Sequence, residues 1–223
     1  TIGQLPEIPQ RPGNTLPRKS LMVQSLSNHP VPDRRALATD LDPGDEIHPL
    51  DFNTVRRSYS GEDMCARFTI RNPKLIPRKL RPDVVEADLT RARYNVAPTQ
   101  PIPVLLIRGH QRILADCRWG LVPSWADDPS IGNRLINARA ETLADKPSFR
   151  RAFRSQRCLI PADGFYEWRT TDKGRQPVYI QVQGGELFAL AGLYEVWQPR
   201  GREPLWTCTL ITTAPNDLIR PFH

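Results

Sequence analysis

Two apolar, branched runs at residues 102–107 and 112–117, separated by Gly109-His110, constrain the fold of this chain more than any other stretch. Such runs, bounded by turn residues, read as strands, and a short glycine-containing link between two of them reads as a β-hairpin. Further strands are expected at 178–182, 187–196 and 206–213. A shorter one runs from Cys65 through Ile70, and two strand pieces flank a turn within Cys158-Leu159-Ile160-Pro161-Ala162-Asp163-Gly164-Phe165-Tyr166-Glu167-Trp168. Helix is expected only over 83–91 and in the stretch after Asn137-Ala138-Arg139-Ala140-Glu141-Thr142, whose polar face carries Lys146, Arg150, Arg151 and Arg154. Lys74, Arg78, Lys79 and Arg81 fall in a basic loop, and Arg93-Tyr94-Asn95-Val96-Ala97-Pro98 reads as a structured turn. The fold class is therefore α+β, one β-rich domain with few helices.

Residues 1–63 break from this pattern. Prolines recur at Pro6, Pro9, Pro12, Pro17, Pro30, Pro32, Pro43 and Pro49, tryptophan is absent, and no helical or strand period persists. The segment is expected to have no core of its own, as a flexible arm, a pro-segment, or translated sequence upstream of a start at Met64. The formal charge of +7 favours a polyanionic partner. The four cysteines, Cys65, Cys117, Cys158 and Cys208, lie far apart with no histidine at zinc-ligand spacing, so neither a metal nor a cofactor is expected. No run approaches the roughly 20 apolar residues of a membrane span, and the chain is expected in the cytoplasm, with reduced thiols, acting as a monomer.

The folded part opens on Met64-Cys65-Ala66-Arg67-Phe68. If Met64 is the start, its removal leaves Cys65 at the N-terminus, with an amine of pKa about 7.7–8.0 and a thiol of pKa about 8.5 on one residue. Such a 1,2-aminothiol condenses with an aldehyde to an imine and closes a thiazolidine ring on the same carbon. The ordinary alternative is that Cys65 is a small buried residue at the start of a strand. Glu167 stands between two aromatics. If its strand alternates it faces away from both, either exposed or pointed into a pocket. The two tryptophans of Trp119-Gly120-Leu121-Val122-Pro123-Ser124-Trp125 are each open to two roles, core anchor or base-stacking platform.

Met-Cys-x-Arg-Phe, Arg-Tyr-Asn-Val-Ala-Pro, Trp-Gly-Leu-Val-Pro-Ser-Trp, Asn-Ala-Arg-Ala-Glu-Thr, Gly-Phe-Tyr-Glu-Trp and Ile-Thr-Thr-Ala-Pro-Asn-Asp, leading to Pro-Phe-His, occur here in this order. Together they closely resemble the SOS-response-associated peptidase (SRAP) family, from Met64 to His223. The resemblance implies curved antiparallel sheets, a partial barrel, around a cleft that binds single-stranded DNA and captures abasic sites covalently through an N-terminal cysteine. It implies that Cys65 is the nucleophile, that Asn137 and Glu167 line the reaction centre, and that His223 is the terminal catalytic histidine. Arg67 and Arg139 match arginines that hold phosphates beside the lesion, and Trp125 and Thr213 match positions that touch the DNA. Where the family usually has glycine after the cysteine, this chain has Ala66. It stops at His223, where relatives continue, and is expected to be truncated there.

Two other readings use the same residues. Cys65, His223 and Asn137 resemble a cysteine-peptidase site in type, with self-removal of whatever precedes Cys65 as the foremost proteolysis. A noncovalent single-strand-binding module needs only the charge and the tryptophans.

Overall fold

The expected hairpin forms from β5 (Pro101–Arg108) and β6 (Gln111–Trp119), paired from Pro101↔Arg118 to Arg108↔Gln111. Its two-residue loop is Gly109-His110, and Gly109 takes φ +65°, the positive φ that a II′ hairpin demands at its first loop position. The computed structural model describes the backbone of Leu21–Ser25 and all of residues 66–222. Cys65 and His223 lie outside the described residues.

The other strands are β1 (Leu21–Ser25), β2 (Phe68–Ile70), β3 (Val84–Val85), β4 (Arg93–Val96), β7 (Asn137–Arg139), β8 (Arg157–Ala162), β9 (Gly164–Thr171), β10 (Gly174–Val182), β11 (Phe188–Trp197) and β12 (Leu205–Thr212), with short helices α1 (Ile76–Leu80) and α2 (Arg150–Ser155). One sheet runs β1-β10-β9-β2-β4 and is antiparallel throughout. The other runs β3-β6-β5-β8-β11-β12-β7, and a further parallel pairing, Thr207↔Arg118 and Cys208↔Trp119, closes β6-β5-β8-β11-β12 into a ring. Closure leaves these strands no bare edge, and residues 102–106 of β5 are buried without alternation, the pattern of a strand covered on both faces. One apolar core joins the ring to the inner face of the other sheet. Phe68, Ile70 and Val96 pack in the same cluster as Ile102, Leu106, Ile113, Trp119 and Ile160. Each fully buried side chain of this kind contributes about 1.5–3 kcal/mol.

Several expectations need correction. Residues 83–91 do not form a helix. Val84 and Val85, β-branched and preceded by Pro82, extend beside β6 instead, where the Asp83 carboxylate accepts the Arg112 backbone N–H at 2.8 Å and its guanidinium at 3.0 Å. The basic loop is instead a 3-10 turn, Pro73–Leu75, leading into α1, each with a proline in its first turn. Arg93–Val96 is a strand on β2 rather than a turn. Within 1–63, Leu21–Ser25 pairs with β10 from Leu21↔Val182 to Ser25↔Val178, and the rest of that segment is outside the described residues.

Candidate functional site

β2, which begins three residues after Cys65, lies against β9, the strand that carries Glu167. Phe68 pairs with Phe165 and Thr69 with Gly164, and the Tyr166 N–H donates to the Arg67 carbonyl at 2.9 Å. Continued by one residue, this register sets Glu167 beside Ala66. Alternation then decides which way Glu167 points. It shares the face of Phe165 and Phe68, away from Tyr166 and Trp168, and is 5% exposed. Of the two alternatives, the exposed carboxylate is excluded: Glu167 is buried. Ala66, in place of the family's glycine, is itself buried in the core. Arg67 is half-buried, and its Nε donates to Asn95 Oδ1 at 3.0 Å, so the Arg-Tyr-Asn motif holds an arginine of the Met-Cys-x-Arg motif in place. Two residues beyond Glu167 on the same face, Arg169 is fixed by Gln176 Oε1 at 2.9 Å.

Asn137 and Arg139 come from β7, which runs parallel to β12 with Leu210↔Asn137 and Thr212↔Arg139 in register. Ala138 between them is fully buried under Leu121, Leu143, Phe149 and Leu193, so Asn137 and Arg139 occupy the opposite face. Thr213 follows directly on β12. Its hydroxyl donates to Glu141 Oε1 at 3.0 Å, and the Ala214 N–H donates to the same oxygen at 3.1 Å. Glu141's own N–H, with those two donors and nearby Arg139, holds its carboxyl below the usual carboxylate range. Thr213, Glu141 and Arg139 therefore form one polar group at the end of the β7–β12 pair.

Trp119 joins these two halves. Its ring lies 5.2 Å from that of Phe68, and its Nε1 donates to the Ile136 carbonyl, immediately before Asn137, at 2.9 Å. It is fully buried and acts as a core anchor. Trp125, six positions on, is 58% exposed. The loop that carries Trp125 is nonetheless held on both sides. Ser124 Oγ accepts from Arg151 of α2, and the Ala126 carbonyl accepts from Trp197 Nε1 at 2.7 Å. Close approach of Gly120 and Gly132 sets the start of the loop, since a Cβ on Gly120 would meet the Gly132 carbonyl oxygen at 2.5 Å. Trp125 is an exposed aromatic on a fixed mount.

The structure thus places Arg67 and Glu167 on the adjacent strand segments of β2–β9, turned by alternation to opposite faces, brings Asn137, Arg139 and Thr213 together through β7–β12, and couples the two groups through Trp119. Trp125 stands on a separate loop. Of the two candidates outside the described residues, Cys65 precedes Ala66 in the chain, and His223 follows the 3-10 turn Arg220–Phe222, which rests against β9. The other three thiols are inert. Cys117, Cys158 and Cys208 are buried inside the ring, burial pushes Cys117 up to about 12, and it raises Cys158 and Cys208 well above the ordinary thiol range. Among the described residues no group of His, Cys, Asp and Glu is placed to hold a metal ion.

Asn95 and Glu141 were not foreseen as parts of this site. Each sits inside a motif beside a more conspicuous residue, and each acts on a residue remote in sequence.

The description "SOS response associated peptidase (SRAP)" matches residues 64–223. An abasic site processing protein of Bacillus subtilis (strain 168), YoqW, is 45% identical over 163 residues, 72% of this chain and 73% of that protein. An abasic site processing protein of Gallus gallus, HMCES, is 34% identical over 177 residues, covering 66% of this chain and 53% of its own length. Among solved structures, a protein from Bacteroides thetaiotaomicron superposes with TM-score 0.54 at 30% identity, over 58% of this chain and 57% of that one. A protein from Bordetella bronchiseptica shares the fold with TM-score 0.60 at 22% identity, over 71% and 78% of the two chains. With this match over most of its length, and with the motifs placed as described, the chain belongs to the SOS response associated peptidase (SRAP) family.

Proposed function

We propose that this protein binds single-stranded DNA and captures abasic sites covalently through Cys65, acting as a monomer. The observation that carries the reading is the buried carboxylate of Glu167, set by the β2–β9 register beside the residue that follows Cys65. The names of the relatives, abasic site processing proteins, support the substrate class.

An abasic deoxyribose is mostly a closed hemiacetal, so capture begins with ring opening. The anomeric hydroxyl loses a proton, the C1′–O4′ bond breaks, and O4′ takes a proton, leaving an aldehyde. Glu167 and His223 divide that proton transfer, Glu167 from its desolvated position and His223 at O4′. Asn137, a neutral acceptor, orients the Cys65 amine without protonating it. The amine adds to the aldehyde and water leaves, giving an imine. The thiol then adds across the C=N bond, sulfur to carbon and its proton to nitrogen, closing the thiazolidine. Because the ring ties up the nitrogen, the β-elimination that an open imine promotes is suppressed. The amine must be free, so removal of the residues before Cys65 is part of this reading. The three buried thiols offer no substitute nucleophile. Arg67 and Arg139 hold phosphates through the guanidinium fork, Thr213 contacts the strand beside Arg139, and Trp125 stacks a base.

The test is Glu167→Gln, which keeps the shape and removes the titratable proton. Crosslinking to an abasic single strand is expected to slow on the order of 10²-fold, while affinity for an intact strand stays near that of the unaltered protein. Equal crosslinking rates would reduce Glu167 to a buried structural carboxylate.

A further inference from the structure

The register that puts Glu167 beside Ala66 rests on very little ladder. β2 is three residues long and pairs with β9 at only two positions, while its pairing with β4 shifts register between Phe68 and Ile70. A ladder this short specifies register weakly, yet a slip of one residue would turn every side chain of β2 to the opposite face. Burial of Phe68 and Ile70 in the core sets which face of β2 turns inward, and a buried carboxylate adds a second constraint.

Asp163, the single residue between β8 and β9, is 2% exposed and supplies that constraint. Its Oδ1 accepts the Thr69 hydroxyl at 2.5 Å and Arg71 Nε at 3.2 Å, and its Oδ2 accepts the Arg71 backbone N–H at 2.6 Å. Its own N–H donates to the Thr69 carbonyl at 3.1 Å. The network reaches a third strand, since the Thr69 hydroxyl lies 2.9 Å from the Tyr179 hydroxyl and Arg71 Nη2 donates to Gln181 Oε1 at 3.2 Å. One carboxylate thus ties β2 to β9 and β10. All of its bonds to β2 are made to residues 69 and 71, so a one-residue slip would break them together and leave a buried anion unpaired, a costly state.

We infer that Asp163 is a positioning residue, locking the register of β2 on β9 and so holding Ala66, two residues before β2, beside Glu167. The inference deepens the proposed function and rests on it for its effect on rate. Misplacement by about 1 Å is enough to cost a reaction up to about 10²-fold.

The experiment compares Asp163→Asn, Thr69→Val, the conservative Thr69→Ser, and Ile180→Val, a control in the core of the same sheet. Each is measured for crosslinking rate at saturating abasic strand, affinity for an intact strand, thermal midpoint, and hydrogen exchange at the Tyr166 amide. Asp163→Asn and Thr69→Val are expected to slow crosslinking about tenfold and to speed Tyr166 exchange by at least about tenfold, with affinity within about twofold. Thr69→Ser should retain the rate, and Ile180→Val should lower the midpoint without slowing the reaction. If Asp163→Asn and Ile180→Val crosslink equally fast at equal distance below their midpoints, Asp163 holds the fold only and the inference is overturned. If the unaltered protein forms no adduct, the proposed function fails, and the exchange alone decides. Selective loss of Tyr166 protection supports the lock, and unchanged protection overturns it.

Discussion

Trp119 and Trp125 occupy the two ends of one short motif and have opposite fates. Trp119 is sealed in the core, with its ring against Phe68 and its N–H on the Ile136 carbonyl. Trp125 is mostly exposed, on a loop clamped by Arg151 and Trp197. One tryptophan sets the geometry of the site and the other is presented by it. On the proposed function the pair separates stability from recognition within a single loop, and substitution at each end should therefore produce effects of different kind.

The largest effect is expected at the buried end. Trp119→Ala removes the link between the β2–β9 and β7–β12 halves and should cost about 3–5 kcal/mol in a urea unfolding experiment. Retention of stability within about 1 kcal/mol would show that the two halves are joined by other contacts. Next comes Trp125→Ala, which should leave the unfolding midpoint within about 0.5 kcal/mol of the unaltered protein. By fluorescence anisotropy it should weaken single-strand binding by about 1–3 kcal/mol, the usual loss of one base–aromatic stack. A loss of stability without loss of affinity would reverse the assignment of the two rings. The smallest effect is expected from Arg67→Ala and Arg139→Ala. Each should weaken intact and abasic strands alike and flatten the log–log salt dependence by about 0.7, because phosphate contacts carry no lesion information. A change confined to abasic strands would place either arginine at the reacting sugar instead.

The contrast also marks what a sequence can convey. Strands with strong β-branched runs, the 102–117 hairpin and the turn within 158–168 are local signals, and the structure has them. The closure of the ring is not local, since Thr207 and Arg118 meet only after several strands have been placed. Residues 83–91 carry a pattern compatible with a helix, and bonds to β6 remote in sequence, from Asp83 to Arg112, Glu86 and Ala87 to Leu114 and Asp88 to Asp116, draw them to the sheet. At the site, the residue types and their order were legible as motifs, and the direction of Glu167 was left open between two faces. What could not be read was the support beneath them: the Asn95 clamp on Arg67, the Glu141 carboxylate under Thr213, and the Asp163 network. These are hydrogen bonds between residues 28, 72 and 94 positions apart, set by tertiary packing rather than by any local period.

The central claim is that the amine and thiol of Cys65 act together on one aldehyde carbon, and intact mass tests it most directly. Protein beginning at Cys65, mixed with an abasic single strand and denatured, should give a species whose mass is the sum of the partners minus one water. Cys65→Ala, with an amine and no thiol, should give only a transient imine that borohydride traps. The chain retaining residues 1–64 has that amine locked in a peptide bond, and should form no adduct unless it first loses those residues. A stable adduct of the same kind on the uncleaved chain would contradict the account and assign the chemistry to a lysine imine or an internal thiol.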